Sequence, residues 1–217
     1  MNQLPVLTVM ARWPAAGRCK TRLATDLSEL GLTRCGERAA RLQRQLTEHT
    51  MSVAAGLSRE GYLKLVLAVS GLGPRASARW GSSLLADQTR RQSQGTLGCR
   101  MRHLLLMQQG SRNRCAALLI GTDLPELNRL ELLTAIEQLQ DHDLVLGPAN
   151  DGGYWLIGLA AAVRRQPQRW PLSGIVWGES NVLDQTLQLA SDHGLRTALL
   201  STHNDLDRIT DLNPWLD

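Results

Sequence analysis

The chain has 217 residues, of which 43% are hydrophobic and 20% are charged, and this composition argues against a disordered chain. The formal net charge of +4 comes mostly from arginine, without a dense basic run, and there is no phenylalanine. These features argue against a nucleic-acid-binding surface. We expect one domain that spans residues 1–217.

The cysteines and the N-terminal segment indicate where such a protein works. The cysteines are widely spaced and form no C-x-x-C pair, which argues against a zinc site or a disulfide framework: Cys19, Cys35, Cys99 and Cys115. The N-terminal segment lacks a basic start and a small-residue cleavage site, and no apolar run is long enough to span a membrane. We therefore predict a cytoplasmic protein with free thiols and no membrane partner.

The first half of the chain contains two buried strand candidates separated by a helix. Pro5–Ala11 is a short apolar run that predicts a strand, and apolar residues at helical spacing predict a helix over Thr33–Ala55. Leu63–Val69 predicts a second strand. Residues 73–94 are rich in Gly, Ser, Arg and Gln, and we predict a loop there with one short helix at most.

The second half continues the alternation of helices and strands. Asn128 and Glu131 have the spacing of a capping box, which starts a helix that continues through Leu139. The other predicted elements are a helix over Leu97–Gln109, strands over Cys115–Ile120, Leu144–Leu146, Tyr154–Leu159 and Leu195–Leu200, and a helix over Asn181–His193.

This alternation predicts the class of fold and the edge at which ligands bind. Strands that alternate with helices form a mostly parallel sheet covered on both faces, a three-layer α/β/α Rossmann-like arrangement. In such sheets ligands bind outside the carboxyl ends of the strands. The residues that follow each predicted strand are therefore the candidate site residues.

The loop after the first strand combines basic residues with a glycine. Arg12, Lys20 and Arg22 flank Gly17, which lets backbone N–H groups approach an anion closely. We interpret it as a phosphate-binding loop; the alternative is a solvated surface turn. It is not a Walker A loop, because Cys19 stands where that motif needs glycine.

Three acidic segments follow later strands, and each has a plainer alternative. Asp123 is a candidate metal ligand or the start of an Asx turn, and Asp151 is a candidate substrate contact or part of a hairpin turn. Asp205 and Asp207 are further metal candidates, whereas Asp211 is typical of a helix cap. Neither a G-x-S-x-G elbow nor a G-x-G-x-x-G fingerprint is present.

Four segments together resemble a known family. MARWPAAGRCKTRLA, QGTLGCRM, GTDLPEL and GPANDGGYWLIGL occur in this order over nearly the whole chain. They resemble the motifs of the DUF2064 family of bacterial glycosyltransferase-A-like proteins, related to the 2-phospholactate and molybdopterin guanylyltransferases. The resemblance implies the nucleotide-diphospho-sugar transferase (GT-A) fold. Arg12 stands where the family usually has lysine.

The resemblance also implies roles for residues of this chain. Asp123 and Asp207 would hold Mg²⁺ or Mn²⁺. In the mechanism that we favour, Asp151 is the candidate to orient or deprotonate an acceptor hydroxyl. Lys20 and Arg22 would act on the phosphates as catalytic residues. The implied nucleotide-binding residues are Arg12, Gly17, Lys20, Thr21, Arg22, Leu97 and Gly98, and the implied substrate-binding residues are Asp151, Gly152 and Gly153.

Two enzymatic reactions and one binding role fit these residues. The first is a metal-dependent glycosyltransferase that moves a sugar from a nucleotide-sugar to a small acceptor. The second is a nucleotidyltransferase that joins an NTP to a phosphorylated small molecule and releases pyrophosphate. The third is a nucleotide-binding protein without turnover. We favour glycosyl transfer, because the resembled family is glycosyltransferase-A-like.

Overall fold

The computed structural model of the protein describes residues 3–107 and 115–215. Its strands are β1 Val6–Arg12, β2 Lys64–Ser70, β3 Gln88–Arg91, β4 Ala117–Ile120, β5 Leu144–Pro148, β6 Tyr154–Leu159 and β7 Thr197–Leu199. Its α-helices are α1 Thr21–Glu29, α2 Cys35–Arg59, α3 Pro74–Ser83, α4 Leu97–Met107, α5 Arg129–Asp141, α6 Ala161–Arg164 and α7 Val182–Asp192. Short 3₁₀ helices cover Pro167–Arg169 and Ile209–Trp215.

The strands form one seven-stranded sheet in the order β3-β2-β1-β4-β6-β5-β7. β6 runs antiparallel to both of its neighbours, β4 and β5, and all other pairs are parallel. The carboxyl ends of the parallel strands therefore share one edge with the start of β6. We call this edge the site edge.

Hydrophobic clusters on the two faces of the sheet make it the middle layer of three. Alternate residues of β4 belong to different clusters: Leu118 packs with α2 and α5, whereas Leu119 packs with α4 and α7. Side chains alternate between faces along a strand, so both faces are covered. The predicted fold class, a three-layer α/β/α arrangement with a mostly parallel sheet, is confirmed.

Residues 73–94 contain α3, the one short helix that the prediction allowed, and the edge strand β3, which was not predicted. α3 buries only Ser77 and Gly81, and β3 consists of polar residues that are mostly exposed. β3 therefore shows no alternation of apolar and polar residues, whereas α3 packs Trp80 against the core. Gly81 lies so close to β3 that an added Cβ would be 1.9 Å from the Thr89 hydroxyl oxygen.

Other boundaries agree more closely with the sequence. The capping box of Asn128 and Glu131 is formed at the start of α5. The predicted helix from Leu97 is present as α4, and its predicted end at Gln109 lies outside the described residues. α1 was not predicted, because it follows directly from the loop after β1. Among the residues that the structure describes, no helix combines the length and apolar character needed to cross a membrane.

Candidate functional site

The loop after β1 turns sharply before it enters α1. Gly17 has φ of +72°, and Lys20, the residue that precedes α1, has φ of +47°. A non-glycine residue rarely adopts the left-handed region, because its Cβ crowds the backbone. The side chain of Lys20 is only 2% exposed, so this unusual backbone accompanies an inward-pointing lysine.

The Lys20 ammonium lies between two carboxylates. Its Nζ donates to Asp207 Oδ1 at 2.8 Å and also contacts Asp123 Oδ1. Burial by itself would lower the pKa of Lys20, but the charges of Asp123 and Asp207 outweigh it and the pKa is raised. Lys20 is therefore a charged group that links the segment after β4 to the C-terminal segment.

The two carboxylates remain accessible from the other side. The side chains of Asp123 and Asp207 are 40% and 46% exposed. Leu206 N–H donates to the Asp123 carbonyl oxygen at 2.9 Å, which ties the two segments together. Asp211 accepts backbone N–H groups from Asp207 at 2.8 Å and Arg208 at 2.6 Å, in keeping with its predicted capping role.

Asp205 is a further acid at the same place. Its pKa is raised to about 7, first by burial and then by the negative charges of Asp123, Asp151 and Asp207. Lys20 acts in the opposite direction but does not cancel the shift. Asp205 was a metal candidate from its position after the last strand, although the resemblance implied Asp207 instead.

These acids open onto a cavity of about 530 Å³ at the site edge, which we call the acidic cavity. Its acidic lining residues are Asp123, Asp151, Glu179, Asp205 and Asp207. Arg22 also lines it and lies 4.0 Å from Asp207 with a largely exposed side chain. The predicted metal residues and two of the predicted catalytic residues thus face one space.

Asp151 lies in the turn between β5 and β6. These strands pair directly, and Asp151 Oδ1 accepts the Gly153 N–H at 2.8 Å, so the segment is a hairpin turn as well as part of the cavity wall. Gly152 has φ of +85°, and an added Cβ would be 1.8 Å from the Ser180 carbonyl oxygen. The turn therefore fits closely against the loop before α7.

An aromatic wall, absent from the predicted site, closes the other side of the acidic cavity. The Trp177 and Tyr154 rings meet edge to face, with centroids 6.3 Å apart. Gly98 is buried beneath the indole, where an added Cβ would be 2.6 Å from Trp177 Nε1, while Leu97 lines the cavity. Leu97 and Gly98 were both predicted to bind the nucleotide, and Gly98 instead supports Trp177.

A second cavity of about 560 Å³ adjoins the first, and we call it the arginine-rich cavity. The predicted nucleotide-binding residues Gly17 and Thr21 line it. Its charged lining residues are Arg12, Arg18, Arg91 and Arg100, with no acid among them. Arg100 was not a predicted site residue, although it lies within the QGTLGCRM segment that carried part of the resemblance.

The acid pair fits a divalent cation of the kind that phosphate substrates bring with them. Within residues 3–107 and 115–215, no group of three or more His, Cys, Asp or Glu has the arrangement of a complete metal site. Mg²⁺ commonly binds one or two carboxylates and completes its shell with water and substrate phosphates. Asp123 and Asp207 supply such a pair, because only their Oδ1 atoms contact Lys20.

Comparison of the sequence with protein families gives one match. Residues 36–179 match the family described as "Uncharacterized protein conserved in bacteria (DUF2064)". A comparison with curated proteins finds no significant match.

Solved structures resemble the whole chain. A provisionally assigned nucleotide-diphospho-sugar transferase from Desulfovibrio desulfuricans G20 is 24% identical, with a TM-score of 0.80 over 99% of this chain and 87% of that chain. A 4-diphosphocytidyl-2C-methyl-D-erythritol synthase from Anaerococcus prevotii DSM 20548 is 10% identical, with a TM-score of 0.57 over 98% of both chains. Rv0371c of Mycobacterium tuberculosis H37Rv, solved with manganese, is 17% identical, with a TM-score of 0.52 over 99% of this chain and 98% of that chain. The protein therefore has the nucleotide-diphospho-sugar transferase fold.

Proposed function

We propose that this chain, which belongs to the DUF2064 family, is a metal-dependent transferase that moves a sugar from a nucleotide-sugar to a small acceptor. The observation that carries the proposal is the Lys20-linked pair of Asp123 and Asp207, which opens onto a cavity beside a basic loop. This arrangement occurs at the carboxyl ends of the strands, where α/β sheets bind their ligands.

Asp123 and Asp207 are the proposed holders of Mg²⁺ or Mn²⁺. When bound there, the cation would neutralise negative charge that develops on the departing phosphate. Support comes from the accessible carboxylates and from the similar fold of the manganese complex of Rv0371c. Lys20 is given a different role from the predicted one, since its ammonium holds the two carboxylates in position.

The proposed donor phosphates bind at the loop after β1. Gly17, Thr21 and Arg12 face the arginine-rich cavity, and Arg22 faces the acidic cavity, so the loop spans the junction between them. Arginine suits this position because its planar guanidinium can donate two N–H groups to one phosphate. Leu97 supplies an apolar wall at the same junction.

The proposed acceptor lies on the other side of the acidic cavity, between Asp151 and Trp177. In glycosyl transfer, an acceptor hydroxyl oxygen bonds to the anomeric carbon of the sugar, and the bond from that carbon to the donor phosphate breaks. The nucleoside diphosphate leaves, and the hydroxyl proton passes to Asp151 acting as general base. Gly152 and Gly153 shape the turn that places this carboxylate.

Nucleotidyl transfer is the second candidate, and the arginine-rich cavity favours it. Four arginines beside the loop provide enough positive charge for the triphosphate of an NTP. In that reaction, a phosphate oxygen of the acceptor attacks the α-phosphate and pyrophosphate leaves. The free thiols of the chain support a reducing cytoplasmic location for either reaction.

Product analysis separates the two reactions. The purified protein would be screened by thermal shift with nucleotide-sugars and NTPs, with and without Mg²⁺ or Mn²⁺, because a ligand that binds the native state raises the melting temperature. The stabilising donor would then be incubated with an acceptor panel. Release of nucleoside diphosphate supports glycosyl transfer, and release of pyrophosphate supports nucleotidyl transfer. Metal-dependent binding without turnover on any acceptor would point to a nucleotide-binding protein.

A further inference from the structure

The lining of the arginine-rich cavity contains no acidic residue to pair with its arginines. Four arginines line it without an acidic residue, and none of them forms an ion pair within residues 3–107 and 115–215. Positive groups held together in a concave site attract and bind anions. The cavity also has the phosphate-loop residues Gly17 and Thr21 in its wall, which points to a phosphorylated ligand.

Arg100 is held in place in the wall of the arginine-rich cavity by Gln92. The Gln92 Nε2 donates to the carbonyl oxygens of Ala11 at 3.2 Å and Ala68 at 2.8 Å, which lie near the ends of β1 and β2. These two bonds fix the amide so that its oxygen accepts from Arg100 Nη1 at 3.2 Å. The Arg100 guanidinium is thereby directed without losing its charge to a carboxylate.

Two further observations indicate that Arg100 is prepared for an anion. Its Nε is buried and has no hydrogen-bond partner within the described residues. Burial, and next the positive charge of Arg12, lower the pKa of the Arg100 guanidinium. Burial and the Arg12 charge both disfavour the charged form, and a bound anion would offset them by its negative charge.

Lys20 cannot bind the anion in this cavity, although it belongs to the same loop. Its ammonium is buried between Asp123 and Asp207, whose combined charge exceeds its own. Phosphate binding by this loop therefore needs another cation, and Arg100 and Arg12 line both cavities.

We infer that the arginine-rich cavity is a polyphosphate-binding site in which Arg100, positioned by Gln92, and Arg12 bind the linked phosphates of the nucleotide. The inference rests on the proposed function and names the residues that would hold its donor. Arg100 touches the ligand, whereas Gln92 acts through Arg100 as a positioning residue.

The test uses inorganic pyrophosphate, which contains linked phosphates but no base or sugar. Its binding to the full chain would be measured by isothermal titration calorimetry in EDTA, so that binding through a metal is excluded. We expect binding to wild type and a loss of affinity of about tenfold or more in Arg100→Ala, the range for hydrogen bonds to charged groups. Parallel titration with nucleoside diphosphates tells whether the site prefers free pyrophosphate or a nucleotide.

Arg165→Ala is the matched control. Arg165 is exposed and follows α6, which begins after β6 at the edge opposite the site edge. Like Arg100→Ala, this substitution removes one positive charge from the protein. We expect a pyrophosphate affinity within about twofold of wild type, since exposed charges at that distance are screened. Arg100→Lys keeps the charge without the planar fork, should fall between wild type and Arg100→Ala, and replaces Arg100→Ala if that variant does not fold.

Gln92→Ala tests the positioning role by its salt dependence. It leaves every charge in place, so affinity should fall by about threefold while the slope of affinity against salt stays that of wild type. Arg100→Ala should flatten that slope, because one screened attraction is lost. A merely structural role for Gln92 would change thermal stability without changing affinity.

Wild type that does not bind pyrophosphate, or Arg100→Ala that binds it as wild type does, would overturn the inference. The proposed function fails separately. The protein could bind pyrophosphate in an Arg100-dependent way and yet show no turnover with any donor and acceptor. That result would refute the proposed transferase activity but not the polyphosphate-binding site. Normal turnover with an unchanged donor KM in Arg100→Ala would refute the site and leave transfer.

Discussion

The acidic and arginine-rich cavities are neighbours with opposite charge. They share Arg12, Ser70, Gln92 and Arg100, yet the acidic cavity has five acidic lining residues and the arginine-rich cavity has none. The boundary runs through the loop after β1, where Lys20 and Arg18 are two positions apart in sequence. Lys20 is buried against the acids, whereas Arg18 lines the arginine-rich cavity. Lys20, at this boundary, has a left-handed backbone conformation.

Basic residues that are close in sequence therefore need not serve one ligand. Lys20 lies between two of the acids, and the arginines remain available for the proposed phosphate ligand. This division predicts that variants in the two cavities affect different properties. Variants in the acidic cavity should change metal-dependent turnover, and variants in the arginine-rich cavity should change metal-independent anion binding.

The largest expected effect comes from Asp123→Asn. The substitution removes a proposed metal-binding carboxylate and leaves the buried Lys20 with Asp207 alone. We expect metal-dependent kcat to fall roughly 10²- to 10³-fold, in the range for losing a transition-state electrostatic contact. Steady-state kinetics over a range of Mn²⁺ concentrations would measure it.

Asp141→Asn is the control for that variant. Asp141 is exposed at the end of α5, at the edge opposite the site edge, so its kcat should equal that of wild type. An Asp123→Asn enzyme with a kcat within about threefold of wild type would remove Asp123 from the proposed site.

Gly98→Ala should disturb the acidic cavity without changing its charge. The added methyl group would lie 2.6 Å from Trp177 Nε1, so the indole must move. Such overpacking costs about 1–3 kcal/mol, more than the gain of about 1 kcal/mol from replacing glycine in a helix. Chemical denaturation should show a lower free energy of unfolding, and Trp177 fluorescence should shift.

The same substitution at Gly56 should act in the opposite direction. Gly56 lies in α2 with no atom within 4 Å of an added Cβ. Gly56→Ala should raise the free energy of unfolding by about 0.5–1 kcal/mol, because alanine loses less backbone entropy. Equal stability changes in the two variants would contradict the close contact between Gly98 and Trp177.

Lys20→Met should destabilise the acidic side alone. Two carboxylates would face each other without their shared cation, but both are partly exposed, so we expect a cost of about 1–2 kcal/mol. Mg²⁺ should restore more stability to this variant than to wild type, as measured by melting temperature. Pyrophosphate affinity in EDTA should not fall. A fall as large as that of Arg100→Ala would show that Lys20 serves the phosphates after all.

Arg22→Ala should have the smallest effect. Its side chain is 62% exposed, and its Nη1 lies as far as 4.0 Å from Asp207 Oδ2. The free energy of unfolding should therefore change by less than about 0.5 kcal/mol. If Arg22 contacts the donor, its KM should rise a few-fold while kcat falls little. An unchanged KM would assign Arg22 to the solvated rim of the acidic cavity.

The sequence predicts the core of the fold because buried strands are continuous apolar runs. β1, β2 and β4 are such runs. The acids at the site edge could be identified as candidate site residues because ligands bind at the carboxyl ends of strands. β3 escapes prediction because its four residues are polar and mostly exposed.

The partners of the site residues could not be predicted from local pattern. Lys20 pairs with acids 103 and 187 positions away, and only the folded chain brings these groups together. Arg100 lies within the QGTLGCRM segment, but the local sequence does not show that Gln92, held by the carbonyl groups of two strands, is its hydrogen-bond partner. By contrast, the capping box of Asn128 and Glu131 is local and was predicted correctly.

The short outermost strands bear on how copies of this protein behave at high concentration. β3 has four residues, two of them arginines, and β7 has three residues. Short or charged edge strands are poor templates for pairing with another chain, so sheet extension and aggregation are disfavoured at both margins. Arg91 belongs to β3 and also lines the arginine-rich cavity, so its replacement by an apolar residue should reduce solubility as well as alter that cavity.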